Sequence, residues 1–126
     1  MAAKTVLRMG DPRLRTLSLP ITNPNDAQLM QMLTDLQDTM LRYHGSGLAA
    51  PQIGLQWRLV IFGFRQNHRY PAAPPVPETV LINPEIVLLG NRLSEGWEGC
   101  LSVPGLRGLV ARHHYIHYCG WNGRGE

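Results

Sequence analysis

The sequence predicts an α+β fold, and three observations carry that expectation. One stretch repeats apolar residues at helical spacing, several others have strand composition between turn residues, and no internal repeat or linker divides the chain. A chain of 126 residues is of a size to bury one core. We therefore expect a single domain over 1–126, with one long N-terminal helix and short, mostly antiparallel sheets.

Asp11-Pro12-Arg13-Leu14-Arg15 reads as a turn or a single helical turn, followed by extended chain from Leu17 to Ile21 around Pro20. Asn23-Pro24-Asn25-Asp26 then offers N-cap chemistry. Beyond it, Leu29, Leu33, Leu36, Met40 and Tyr43 recur at steps of four and three, one apolar face of an α-helix. Gln28, Gln31, Asp35 and Asp38 lie elsewhere on its surface. Gly45 stands where a left-handed cap is expected.

Trp57 to Arg65 is apolar and partly β-branched, so it reads as a strand with an irregularity at Gly63. Gln66 to Thr79 carries four prolines (71, 74, 75 and 77) and reads as an exposed loop that includes His68. Val80 to Leu89 is strand material interrupted at Pro84 and ended by Gly90. Leu106 to Arg112 and His114 to Tyr118 read as two more short strands. Asn122-Gly123 is a strong hairpin-turn signal.

Composition excludes several classes. No apolar run has the length of a transmembrane helix, and the start lacks a signal-peptide core. The formal charge is +3, with arginines scattered rather than clustered, so no nucleic-acid footprint is expected. Cys100 and Cys119 read as two reduced thiols, in keeping with a cytoplasmic protein. An organellar matrix is the alternative if a transit segment has been removed.

Two segments carry chemistry. In Gly45-Ser46-Gly47-Leu48-Ala49-Ala50-Pro51-Gln52-Ile53-Gly54, small residues let another backbone approach closely and Gln52 supplies one amide side chain. In Glu98-Gly99-Cys100-Leu101-Ser102, a thiol that would suit zinc or iron(II) is flanked by small Gly99. In isolation, Cys100 is equally a small buried hydrophobe.

Together, in this order and at this separation, the two segments resemble the first two signature motifs of the peptide deformylases, and the resemblance extends over essentially the whole chain. It implies a metal-dependent hydrolase of protein biosynthesis that removes the formyl group from N-formylmethionine of nascent polypeptides. It further implies that Gln52 and the Leu101 backbone N–H hold the developing oxyanion, and that Cys100 ligates the metal. Gly45, Ser46, Gly47, Leu48, Trp97, Glu98, Gly99 and Arg107 would line the peptide cleft. Ser46 departs from the family, which usually has an apolar residue there, beside the pocket for the methionine side chain. The implied cofactor is a divalent metal, iron(II) by family, with zinc, nickel or cobalt as alternatives. We also expect Glu98 and Arg112 to pair inside the fold.

The family's third motif, a helical His-Glu-x-x-His, supplies two metal ligands and the general base. Its place falls beyond Glu126, so the expectation is an incomplete domain, lacking the family's central C-terminal helix and inactive alone. His113 and His117 do not replace it. Their surroundings read as a strand, and four residues of strand separate two imidazoles by roughly 13 Å. A helix would bring that pair together, and His44 reads as a helix C-terminal residue. Uncovered faces at Leu59, Ile61, Leu81 and Ile82 would favour self-association. The alternative function is a truncated, non-catalytic homologue that binds formylated or extended peptides through the surviving strand edge. A thiol hydrolase with Cys100 as nucleophile is a third reading, with no histidine placed beside it by the sequence.

Overall fold

The computed structural model describes residues 3–23, 25–65 and 71–126. Helix α1 spans Ala27–Arg42, capped by the Asp26 carboxylate, which accepts from Gln28 N at 2.8 Å. Among the described residues, four antiparallel strands follow: β1 (Gly47–Ala49), β2 (Leu59–Phe64), β3 (Val76–Cys100) and β4 (Val103–Trp121), in the spatial order β1-β2-β3-β4. Short 3-10 turns at Pro12–Arg15 and Ala50–Ile53 complete the framework.

Most of the apolar face read from the sequence is buried, with Met40 half-buried and Tyr43, the C-cap, exposed. Leu29, Leu33 and Leu36, joined by Met32, pack on Leu48, Leu59, Ile61 and Ile82. Each large aliphatic chain so buried contributes about 1.5–3 kcal/mol by area. Leu59, Ile61 and Ile82 are thus covered by α1, which removes the expected uncovered core at those positions. Many of the exposed apolar residues lie instead on the β3–β4 hairpin, at Ile86, Leu88, Ile116 and Tyr118 among others, with more on the N-terminal segment and α1, such as Leu17 and Leu41. Thr39, unremarked in the sequence, is fully buried and satisfied: its hydroxyl donates to Asp35 O and accepts from Lys4 N.

Helix α1 ends differently from expectation. The left-handed residue is His44, with φ 55°, and not Gly45. His44 N bonds Leu41 O at 3.2 Å and Gly45 N bonds Met40 O at 2.9 Å, the pattern of a Schellman cap. Glycine stands one place later, against the Leu101 side chain. A Cβ on Gly45 would lie 2.8 Å from Leu101 Cδ1.

The hairpin is longer than the short strands expected. Pro84 and Gly90 do not end β3; they sit at register shifts between Ile82 and Glu85 and between Leu89 and Leu93, which the ladder absorbs. Likewise Pro77 does not exclude strand, since β3 begins at Val76. The Gln66–Tyr70 part of the expected loop, with His68, lies outside the described residues. Leu106 to Tyr118 is one continuous strand within β4, so His113 and His117 are strand residues opposite Leu93 and Val87. Asn122 closes a terminal turn by accepting from Arg124 N and Glu126 N.

Asn83 takes the left-handed conformation at the first shift, and its side chain grips the incoming N-terminal segment. It accepts from Ile21 N and donates to Ile21 O, both at 2.8 Å. The irregularity expected at Gly63 is a bulge with φ 139°. A Cβ there would meet Glu78 Cα at 2.6 Å and Pro77 O at 2.7 Å, both backbone. Gly63→Ala should therefore destabilise the protein by about 2 kcal/mol or more. The urea unfolding midpoint measures this, and an unchanged midpoint would contradict the bulge.

Candidate functional site

The two sequence motifs meet through one amide. Ala50–Ile53 forms a 3-10 turn directly after β1, ended by Gly54 with φ 86°. Gln52 reaches back along this turn, and its Oε1 accepts from Ala49 N at 2.9 Å, half of a capping box. Its Nε2 donates to Ser102 Oγ at 3.0 Å and points at Cys100 Sγ, 3.6 Å away. The N-terminal segment clamps the same two loops, with Leu7 N donating to Gln52 O and Met9 N to Ser102 O.

Cys100 ends β3, and Leu101-Ser102 is the two-residue link to Val103, outside the ladder. Both cysteines are free and exposed, so the reading of Cys100 as a buried small hydrophobe does not hold. A cavity of about 220 Å³ opens beside it, lined by Val6, Arg8, Tyr43, Leu101 and Pro104 among others. The Leu101 side chain packs over Gly45, so the first motif touches the second here, and an added methyl would have to displace the end of that leucine.

The other expected site residues are dispersed. Leu48 is buried, so it offers only backbone to a ligand. Gly47 lies on β1, an edge strand of the sheet. Ser46 lines a separate cleft of about 670 Å³ with His44, Gly63 and Glu78 rather than the cavity at Cys100. Trp97 is 61% exposed and pairs with Leu109, while Gly99 pairs with Arg107. Alternation along the strand puts Trp97 and Gly99 on one face and Glu98 on the other. Ser102 is the residue missed at the sequence level. It is buried, unusual for a serine, and bonded to Gln52; the sole sequence signal was its hydroxyl two residues past Cys100.

Glu98 and Arg112 do pair, through two hydrogen bonds of 2.5 and 2.6 Å. The pair sits on the surface, with side chains 38% and 68% exposed, and not inside the fold. The hydrogen bond from Arg112 lowers the Glu98 carboxyl below its ordinary 4.5, and the same bond raises Arg112. A carboxyl lowered on folding stabilises the fold above its unfolded pKa and loses that contribution as pH falls through the folded value. Solvent limits the effect to below about 1 kcal/mol. The stability difference between wild type and Arg112→Gln should accordingly be present at neutral pH and vanish in acid below the ordinary glutamate range. A difference unchanged by acid, followed by chemical denaturation, would contradict the pairing.

The donor set around Cys100 is sparse for a metal. Among the described residues, no group of three or more His, Cys, Asp or Glu side chains comes together. One thiol with an amide beside it supplies one of the roughly three protein ligands that a catalytic ion takes. Among those residues, too, no helix is long and apolar enough to cross a membrane.

Comparison with known proteins agrees with the paired motifs. The polypeptide deformylase family pattern matches residues 3–126. Peptide deformylase 1 of Bordetella pertussis is 50% identical over 121 residues, covering 96% of this chain and 69% of that protein. Peptide deformylase 1 of Prochlorococcus marinus is 51% identical over 123 residues, covering 97% and 64%. Among solved structures, the Met-Ala-Ser-bound class I type b peptide deformylase from Acinetobacter baumannii superposes with a TM-score of 0.92 at 35% identity, covering 99% of this chain and 80% of that one. A peptide deformylase from Legionella pneumophila gives 0.82 at 34% identity, covering 99% and 69%. With Gln52 and Cys100 in contact, and relatives this similar over nearly its whole length, the chain belongs to the polypeptide deformylase family.

Proposed function

We propose that this chain acts as a peptide deformylase, a hydrolase that removes the formyl group from N-formylmethionyl peptides during protein biosynthesis. Family membership supports the reaction, and the Gln52–Cys100 contact of 3.6 Å is the observation that favours a site at these two residues. The substrate is an extended peptide, and β1, an edge strand, is the element suited to receive one by strand addition. Gly47 and Leu48 would then act through their backbone. Relatives of the family include a structure described as bound to Met-Ala-Ser, the size of ligand this edge would take.

Chemically, Gln52 is the group to polarise the formyl oxygen. Its Oε1 is occupied by Ala49 N–H, which leaves the Nε2 donor facing Cys100. The Leu101 N–H, outside the sheet ladder, is the partner donor. Two donors fixed in advance stabilise a developing oxyanion without reorganising, and losing one typically lowers turnover a hundredfold or more. The family works with a divalent metal, and iron(II) is the ion we assign on the resemblance. Cys100 would be a ligand, while the other ligands and the general base are not supplied by the described residues. We assign the protein to the cytoplasm and the 126 residues to one domain on the same resemblance.

Formate release from N-formyl-Met-Ala-Ser, measured with and without added iron(II), tests the assignment. Turnover should fall about a hundredfold in Gln52→Ala with little change in KM. Peptide binding without formate release would favour the non-catalytic peptide binder instead.

A further inference from the structure

We propose that Ser102 is a positioning residue that aims the Gln52 amide at the reacting oxygen. The inference rests on the deformylase reading and adds a residue to its machinery. A primary amide on a flexible stem can rotate about its terminal bond and exchange its oxygen and nitrogen ends. Two contacts restrain that rotation here. Ala49 N–H selects the oxygen end, because a flip would set the NH₂ group against another donor. That contact alone leaves the amide plane free to swing about a single point.

The second contact removes the swing. Ser102 Oγ takes one Nε2 proton at 3.0 Å, and the remaining proton is left for Cys100 and whatever binds beside it. Ser102 is itself a rigid post. It is 6% exposed, and its carbonyl is tied to Met9 N at 2.8 Å. The backbone that carries the hydroxyl is held in place, and the buried hydroxyl meets the glutamine from it. A buried polar group also demands a partner, so the serine and the amide hold one another. Ser102 touches neither substrate nor reacting atoms in this arrangement and works through Gln52.

The test reads the amide directly and then its consequence. In ¹⁵N-labelled protein, one Gln52 Nε2 proton should be protected from exchange and resolved from its twin. Ser102→Ala should abolish that protection, and Ser102→Thr should restore it. In turnover of N-formyl-Met-Ala-Ser, Ser102→Ala should lower kcat about tenfold at near-constant KM, less than removal of the donor itself. Equivalent, fast-exchanging Gln52 protons in the wild type would overturn the proposal, even if Ser102→Ala failed to fold. So would a Ser102→Ala protein with wild-type kcat, or one changed in KM alone. A wild type that shows the protected proton but releases no formate would count against the deformylase reading and leave the clamp standing.

Discussion

The arrangement of this protein depends on one amide group that joins two distant parts of the chain. Gln52 belongs to a tight turn after β1, and Cys100 and Ser102 belong to the β3–β4 link, some fifty residues further on. Its oxygen is held within its own turn and its nitrogen reaches the other loop. The 3-10 turn that carries Gln52 and the Leu101-Ser102 link both lie outside the sheet ladder, so the ladder does not pair them directly. Hydrogen bonds from the N-terminal segment and the Leu101–Gly45 contact do that work instead. The site is therefore a junction of three segments, each placed by the others.

The helix and sheet supply the frame on which this junction is built. Burial of Leu29, Leu33 and Leu36 against Leu48, Leu59 and Ile61 fixes β1 beneath α1. The Schellman turn at His44 then delivers the chain to Gly45. A left-handed histidine is less favourable than a left-handed glycine by roughly 1 kcal/mol. Gly45 is a position where a Cβ meets Leu101. A side chain at 45 would have to move the Leu101 side chain out of its place over the motif.

Much of this was legible in the residues. Helical periodicity reports burial on one face, so Leu29 to Met40 identified α1 without further help. The paired motifs identified the family because their residue types serve a joint chemistry. Strand extent was not legible, because Pro84 and Gly90 are breakers locally yet become register shifts when a partner strand continues beside them. The side of a strand was also hidden. Trp97 neighbours Glu98 in sequence, but alternation sends them to opposite faces. Ser102 escaped notice because a serine's role depends on what lies across the fold, and Gln52 is fifty residues away in sequence.

A single glutamine side chain bridges the two loops directly, and a double-mutant cycle measures that bridge. Gln52→Ala and Ser102→Ala, made singly and together, should show a coupling of about 1 kcal/mol in unfolding free energy. Strictly additive effects would mean that the two side chains do not hold one another, and the junction described here would have to be abandoned.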